Sequence, residues 1–103
     1  MKKTLSMITG TVLVTFVATA SFAASGEELF KKHCAVCHPN GGNIINPKKT
    51  LQKKDLSQNG LKTWQALVKN MRSPGPGMTK FDKGTISDSD AKSIAQYILK
   101  TFK

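Results

Sequence analysis

Cys34-Ala35-Val36-Cys37-His38 is the stretch that decides the architecture of this 103-residue chain. The pattern Cys-x-x-Cys-His is the attachment sequence of a c-type haem, in which each cysteine sulfur adds to one vinyl group of the macrocycle. The histidine that follows is held beneath the iron, where an imidazole nitrogen can ligate it. Cys34 and Cys37 are the only cysteines. The sequence therefore predicts one covalent haem c, anchored by both cysteines and ligated by His38.

Three other uses of the paired cysteines remain as weaker alternatives. A redox dithiol is typical of a βαβ context, and the sequence shows no strand pattern. A structural zinc ion needs four ligands, whereas Cys34, Cys37, His33 and His38 are the chain's only cysteines and histidines and lie within six consecutive positions. A disulfide between the two cysteines would close only a very short loop.

Residues 1–23 have the features of a secretory signal peptide. Two lysines stand at positions 2 and 3, an apolar stretch follows, and small residues then precede the expected cleavage after Ala23, with cleavage after Ala20 as the alternative. A retained membrane anchor is disfavoured, because threonines and a glycine interrupt the stretch and a spanning helix needs about 20 apolar residues. Covalent haem c is assembled outside the bacterial cytoplasmic membrane. We therefore expect a periplasmic protein whose functional domain is residues 24–103.

The mature chain would be a small domain of 80 residues. Chains of this length seldom bury enough apolar surface to fold alone and usually need a covalent or metal staple. A covalently bound haem would be that staple, since short helices can pack around its apolar disc. We therefore expect the haem-free chain to be poorly folded.

Charge constrains the partners of this protein. The chain carries 16 basic and 6 acidic residues, and losing two lysines with the signal peptide leaves 14 against 6, a formal charge of +8 before the haem propionates are counted. Such a positive field steers a protein toward acidic partners. Nucleic acid is a poor candidate, because the protein is exported and has no motif that reads DNA or RNA. The lysines include three adjacent pairs: Lys31/Lys32, Lys48/Lys49 and Lys53/Lys54.

The first half of the mature chain predicts short helices joined by a turn-rich loop. Ser25-Gly26-Glu27-Glu28 is a capping box, so a first helix should begin near Ser25 and deliver Cys34 to the haem. Residues 39–47 are dense in Pro, Gly and Asn and predict a loop. A second short helix is predicted over 48–56, with leucines facing inward and lysines outward.

The second half predicts two further helices, which makes the domain all-α with three to four short helices. Residues 61–71 carry an apolar stripe at helical spacing. Residues 73–77 contain two prolines and two glycines and predict a loop. The last helix should begin at Ser87, with Asp90 at the third helical position completing a cap. Its apolar face would consist of Ala91, Ile94, Ala95, Ile98 and Phe102.

Two methionines of the mature chain, Met71 and Met78, could supply a sixth iron ligand. Met71 lies on the apolar stripe of the third helix, where core packing accounts for it. Met78 follows Pro-Gly-Pro-Gly in a loop, where no helical packing explains it, and such a loop could present the sulfur to the iron face opposite His38. We predict Met78 as the ligand, with Met71 or an open site as alternatives. We interpret His33 as a surface or haem-edge residue.

Over nearly its whole mature length the chain resembles the class I monohaem cytochromes c, and most closely the small cytochrome c6/c553 group. Gly26 and Phe30 match that family's contact between the N- and C-terminal helices, and Tyr97 matches the aromatic residue on the other helix. Residues 41–45 and 49–56 are very like the c6 loop and second helix. Met78 stands where the family's methionine ligand stands. The chain departs from the family at two places beside it: Thr79 replaces a frequent proline, and the preceding loop, 74–77, is richer in proline and glycine than usual.

The resemblance implies a soluble one-electron carrier and not an enzyme. Iron held by His38 and Met78 would have no open site and could change oxidation state with little ligand movement. The expected contacts with acidic redox partners are transient, and we expect a monomer with no stable membrane insertion after signal cleavage. The alternatives are a haem-based ligand sensor, or a subunit of a redox complex with a displaceable sixth ligand. Pattern and resemblance together predict four haem-packing residues: Asn43, Ile45, Trp64 and Phe81.

Overall fold

The computed structural model describes residues 7–15 and 24–103. Within them the chain forms four α-helices and no β-strand, which confirms the predicted all-α class. A 3-10 turn lies between the first two helices. The helices are α1 (Gly26–His33), α2 (Lys53–Gln58), α3 (Trp64–Arg72) and α4 (Asp88–Thr101), and the turn covers Pro39–Gly41.

The predicted signal peptide falls mostly outside the described residues. Both candidate cleavage positions, after Ala20 and after Ala23, lie there. Residues 7–15 have no regular secondary structure, and their side chains are exposed. Among the described residues no helix is both long enough and apolar enough to cross a membrane.

Helix α1 begins where the capping box predicts. The Ser25 hydroxyl accepts a hydrogen bond from the Glu28 backbone N–H at 3.2 Å. Glu27 and Glu28 occupy the first turn, where carboxylates favour the positive end of the helix dipole. The helix ends at His33, so that Cys34 stands at its C-terminal cap.

Helix α2 begins at Lys53, five residues later than the predicted helix over 48–56. Side chains hold the intervening residues as a loop: the Asn46 carboxamide oxygen accepts from the Lys48 N–H, and the Thr50 hydroxyl accepts from the Gln52 N–H. Such local side-chain bonds give the backbone an alternative to the helix. The prediction of a helix from residue 48 rested on the spacing of lysines and a leucine. That spacing does not reveal the side-chain hydrogen bonds of Asn46 and Thr50.

Helices α3 and α4 are both capped by side-chain hydroxyls. The Thr63 hydroxyl accepts from the Ala66 N–H at 3.1 Å, so α3 begins at Trp64 instead of at the predicted residue 61. The Ser87 hydroxyl accepts from the Asp90 N–H at 3.1 Å, as the sequence predicts. Each bond satisfies one backbone donor that has no partner inside the helix.

Helix α4 packs against both α1 and α3 and forms the centre of the domain. Phe30 of α1 lies 5.4 Å from the Tyr97 ring and 5.3 Å from the Phe102 ring, in tilted arrangements that aromatic pairs prefer. Phe102 caps the end of α4 and is not within it. The buried core consists of Leu29, Phe30, Leu56, Leu67, Met71, Ile86, Ala91, Ile94, Ala95 and Ile98.

Two glycines permit close approaches in this core. A Cβ atom on Gly26 would overlap the Ser93 carbonyl oxygen of α4 and would lie 3.0 Å from the Tyr97 Cβ. Gly41 has a φ of 77°, and a Cβ there would meet the Phe102 ring. The α1–α4 crossing distance therefore depends on the missing side chain at Gly26.

The substitution Gly26→Ala should destabilise the haem-containing protein by at least about 2 kcal/mol, because α1 must move away from α4 to admit the methyl group. Denaturant unfolding of the haem-loaded protein measures this. Gly84→Ala is the matched control, since a Cβ there would make only an ordinary 3.4 Å contact with the Asp82 carboxylate. Equal midpoints for the two variants would contradict the close crossing.

Candidate functional site

One cleft collects almost all of the predicted site residues. It encloses about 1070 Å³ free of protein atoms, a figure that includes the solvent at its open mouth. The walls come from the end of α1, the loop that follows, α3, and the segment between α3 and α4. The predicted site residues that line it are Cys34, Cys37, His38, Asn43, Ile45, Met78 and Phe81.

The motif side of the cleft is a tight turn at the end of α1. The Cys37 and His38 backbone N–H groups both donate to the Cys34 carbonyl oxygen, at 3.2 and 2.9 Å. This turn places all three side chains on the cleft lining, where they are half-buried. Burial raises the pKa of the Cys34 thiol from 9.0 to about 11.

The high pKa of Cys34 bears on the dithiol alternative. A reactive redox cysteine typically has a lowered pKa, because the thiolate is the nucleophile. A thiol with a pKa near 11 stays protonated at neutral pH. The described part of the chain also holds no strand that could form a βαβ unit, and no group of three or more His, Cys, Asp or Glu side chains placed to hold a metal ion.

The His38 ring is oriented by the backbone of the following loop. Its Nδ1 lies 2.7 Å from the Gly42 carbonyl oxygen, which can only accept a hydrogen bond. Nδ1 therefore carries the proton, and Nε2 is left with a free lone pair. A metal-ligating histidine commonly has this arrangement, since the outer bond fixes both the tautomer and the ring orientation.

Asn43 organises the loop that forms the next wall. Its carboxamide oxygen accepts from the backbone N–H groups of Ile45 and Asn46, both at 2.9 Å, and its Nδ2 donates to the Lys49 carbonyl oxygen at 2.9 Å. The Ile44 N–H donates to the Cys37 carbonyl oxygen, which ties the loop to the motif. Ile45 lines the cleft while its side chain stays 58% exposed, so it forms part of the rim.

Both candidate methionines line the cleft, but they are held differently. Met71 belongs to α3 and is buried in the core cluster. Met78 lies on the segment between α3 and α4, and the Asn70 carboxamide nitrogen stands 3.6 Å from its sulfur as a donor. Only Met78 has a sulfur free of core packing and oriented by a polar contact.

The remaining predicted residues divide between the cleft and another part of the fold. Phe81 lines the cleft, and its N–H donates to the Met71 carbonyl oxygen at 2.9 Å. His33 lines the rim, edge-on to Phe81 with ring centroids 6.2 Å apart. Trp64 is not among the cleft residues; it packs against the core, with the Lys92 ammonium 4.7 Å above its ring. Trp64 is therefore left out of the proposed haem contacts.

Comparisons with known proteins identify the family. A family model described as cytochrome C oxidase, cbb3-type, subunit III matches residues 21–98. Cytochrome c6 of Synechocystis sp. is 43% identical over 82 residues, covering 80% of this chain and 68% of that protein. Cytochrome c6 of Cyanidioschyzon merolae is 33% identical over 103 residues, covering 100% of this chain and 97% of that protein.

Solved structures give the same result. The outer membrane cytochrome OmcF of Geobacter sulfurreducens is 42% identical, with a TM-score of 0.75 over 77% of this chain and all of that one. Cytochrome c6 of the diatom Phaeodactylum tricornutum is 35% identical, with a TM-score of 0.68 over 73% of this chain and 87% of that one.

The chain belongs to the class I monohaem cytochromes c, close to cytochrome c6. It is an electron-carrier cytochrome that binds one haem c covalently. The predicted family, fold and cofactor are thereby confirmed.

The cleft of this cytochrome fits the haem on its own chemistry. Two free thiols stand on the lining, three residues apart, where vinyl groups can be bonded. An imidazole nitrogen and a thioether sulfur are both available as iron ligands. The rest of the lining supplies apolar surface for the macrocycle, from Val36, Leu51, Leu67, Met71 and Ile98 among others.

The sequence prediction missed two polar groups of this cytochrome's site. Asn70 lies one helical turn after Leu67 and next to Met71. A polar residue beside the apolar stripe of a helix could have indicated that Asn70 belongs to the site. The Gly42 carbonyl oxygen had no side-chain signal at all, because the backbone supplies it.

The haem-free form of this cytochrome should not unfold cooperatively. In the double variant Cys34→Ala/Cys37→Ala, the apolar cleft lining would face water, because no haem could be bonded there. A thermal melt followed by circular dichroism should be broad, while the haem-loaded parent gives a sharp transition. A sharp, native-like melt of the double variant would show that the helices need no haem.

Proposed function

We propose that this cytochrome is exported to the bacterial periplasm and carries one electron at a time between protein partners, with His38 and Met78 as axial ligands of the haem iron. Cys34 and Cys37 would supply the two thioether bonds. The observation that carries the proposal is the single cleft on which the motif side chains and the loop methionine meet.

His38 is suited to ligation by its hydrogen bond to Gly42. The carbonyl oxygen holds the proton on Nδ1, so Nε2 can donate its lone pair to iron. The hydrogen bond to Gly42 also increases the electron density on the imidazole ring. The ring would therefore be a stronger ligand for ferric iron. The Gly42 carbonyl is positioned by the 3-10 turn, whose N–H at Gly42 donates to the Pro39 carbonyl oxygen at 2.9 Å.

Met78 is favoured over Met71 by its surroundings. Moving the Met71 sulfur toward an iron atom would take it out of the buried core. Met78 is half-buried and belongs to the segment 75–79, all of which lines the cleft. The Asn70 donor occupies one lone pair of the Met78 sulfur, and a thioether sulfur has a second lone pair for a metal.

Haem iron, when bound, supplies the ferric–ferrous couple. The chain sets the reduction potential, controls access to the haem and provides the surface on which a partner docks. A thioether favours ferrous iron and raises the potential relative to two imidazoles. Ligation by residues on both sides would leave no position for a substrate, which suits a carrier rather than an enzyme. Asn43 holds its wall of the cleft by three hydrogen bonds to the loop backbone, and Asn70 contacts the Met78 sulfur from α3.

The match to an oxidase-subunit model does not by itself make this cytochrome a fixed subunit. The domain and its haem site are shared among carriers and subunits, and function depends on the surface. Residues 1–23 would export the chain before haem attachment, and the mature domain would then be free to diffuse.

The substitution Met78→Ala should remove the far-red charge-transfer band of iron–thioether coordination from the ferric spectrum. It should also lower the reduction potential by on the order of 100 mV, since axial ligands set the potential. Met71→Ala is the control, because it removes the other thioether of the cleft and should leave the band in place. Optical spectra and potentiometry of both haem-loaded variants measure this.

Loss of the band in Met71→Ala alone would overturn the assignment of Met78. Carbon monoxide adds a second test, since it needs an open iron position. The reduced parent protein should not bind it readily, and Met78→Ala should. Rapid binding by the parent would favour the ligand sensor over the carrier.

The rim of the cleft has the character of a docking surface for an acidic partner. Three apolar side chains are strongly exposed there or on the adjoining loop: Val36 (78%), Ile44 (65%) and Ile45 (58%). Lys49 lines the cleft, and Lys48 and Lys80 are exposed next to lining residues. In residues 24–103 the lysines that form salt bridges are Lys31 and Lys83, so none of the rim lysines is paired with a carboxylate there.

The electron-transfer rate with an acidic partner should fall as salt rises, because the Debye length shrinks from about 10 Å at 0.1 M to about 3 Å at 1 M. Lys49→Gln should lower the rate several-fold at low salt and should converge with the parent at high salt. Lys62→Gln is the matched control, since Lys62 lines a separate groove beside α2 and the end of α4. Stopped-flow kinetics over a salt series measures this, and equal salt slopes for both variants would contradict docking at the rim.

A further inference from the structure

The segment that carries Met78 is closed at its base by one arginine. Arg72 is the last residue of α3, and its side chain is 19% exposed. Its Nη1 donates to the Phe81 carbonyl oxygen at 3.2 Å and to the Ile86 carbonyl oxygen at 2.8 Å. Its Nη2 donates to the Asp88 carboxylate at 2.8 Å. One guanidinium therefore joins α3, the returning segment and the first residue of α4.

These bonds define a loop of residues 73–80. On one side stand Met71 and Arg72, and on the other stands Phe81, whose N–H donates to the Met71 carbonyl oxygen. Inside the loop the only backbone bond among the described residues is a long one, from the Met78 N–H to the Gly75 carbonyl oxygen at 3.5 Å. The position of the Met78 sulfur therefore depends on how firmly the base is closed.

We propose that Arg72 is a positioning residue for the sixth iron ligand: it holds the 73–80 loop closed and so sets how often Met78 leaves the iron. This rests on the proposed ligation by Met78. Arg72 is not among the residues that line the cleft, so it acts through the backbone of the loop and not through contact with haem.

The chemistry of arginine suits this role. A guanidinium presents donors from a planar fork and can bond three oxygens at once, whereas a lysine ammonium is a point charge on a flexible stem. The Ile86 residue is 1% exposed, so its carbonyl oxygen would have little access to water if the donor were lost. The buried Nε of Arg72 has no partner in the described residues, so the three bonds made by the two Nη atoms account for the side chain's placement.

The Asp88 carboxylate is the third acceptor of the Arg72 guanidinium, and its negative charge strengthens that hydrogen bond. Hydrogen bonds from Arg72 and then from Lys83 hold the pKa of the Asp88 carboxyl below its usual value, so the group is ionised at neutral pH. Lys83 bonds only the second carboxylate oxygen, at 3.3 Å, and its side chain is 75% exposed. Lys83 therefore shares Asp88 with Arg72 without touching the loop.

The test uses cyanide and the oxidised, haem-loaded protein. Cyanide can bind ferric iron only after Met78 has left, so at saturating cyanide the observed rate is the rate of loop opening. Arg72→Lys should open about tenfold faster, as expected from losing a charge-assisted hydrogen bond in the closed loop. Lys83→Gln should change the rate less than about twofold, because an exposed ion pair contributes little.

A second comparison separates loop closure from general stability. Gly26→Ala weakens the α1–α4 crossing, far from the loop in sequence and in packing partners. If Arg72→Lys acted only through global stability, Gly26→Ala would accelerate cyanide binding equally at a matched loss of melting temperature. Equal rates in the two variants would overturn the proposal, as would a rate for Arg72→Lys equal to that of the parent.

Asp88→Asn covers the case in which Arg72→Lys fails to fold. It removes the charge from one of the three acceptors and should accelerate opening by about threefold; an unchanged rate would overturn the proposal. Failure of the Met78 assignment would look different, since the parent would then lack the iron–thioether band and Met78→Ala would leave its ferric spectrum unchanged.

Discussion

The turn that folds residues 34–38 back over the end of α1 is the constraint on which the rest of this cytochrome depends. Two backbone bonds to the Cys34 carbonyl oxygen bring two thiols and an imidazole onto one wall. If both thioether bonds and one ligand come from these five consecutive residues, as we propose, the haem would be fixed in position relative to α1. Every other wall only has to close around a group that is already placed.

The other walls are held by side-chain amides rather than by long elements of secondary structure. Asn43 makes three hydrogen bonds that shape the loop after the motif, and Asn70 reaches the Met78 sulfur from α3. Neither amide is needed to form a helix. Both are half-buried at the cleft, where an amide without partners would be costly, so their bonds specify one arrangement of the walls. A small domain with few core residues gains rigidity at the site in this way.

The parts of this structure that the sequence predicted are those governed by local rules. The caps at Ser25 and Ser87 depend on residues three positions apart, and the core face of α4 depends on helical spacing alone. The start of α2 was wrong because Asn46 and Thr50 compete for backbone donors through contacts that spacing does not show. Trp64 was predicted as a haem-packing residue from pattern and resemblance; it is not among the residues that line the cleft, and it lies beneath the Lys92 ammonium. The Gly42 carbonyl is a backbone group, and the Arg72 bonds join residues 9 to 16 positions apart, so no pattern of residue types indicates either of them.

A methionine ligand places two opposing demands on the chain around it. On the proposed ligation by Met78, the sulfur must be free enough of core packing to reach iron, unlike that of the buried Met71, and it must still be held well enough that the iron–sulfur bond would not open in each redox cycle. A loop meets the first demand but not the second, because the prolines of 74–77 restrict the backbone while its glycines loosen it, and neither residue type anchors the segment to the core. Anchoring at the base resolves the conflict. The Met71–Phe81 and Arg72–Phe81 bonds fix both ends of the loop, so few conformations remain for the residues between them, and the sulfur is confined without being packed.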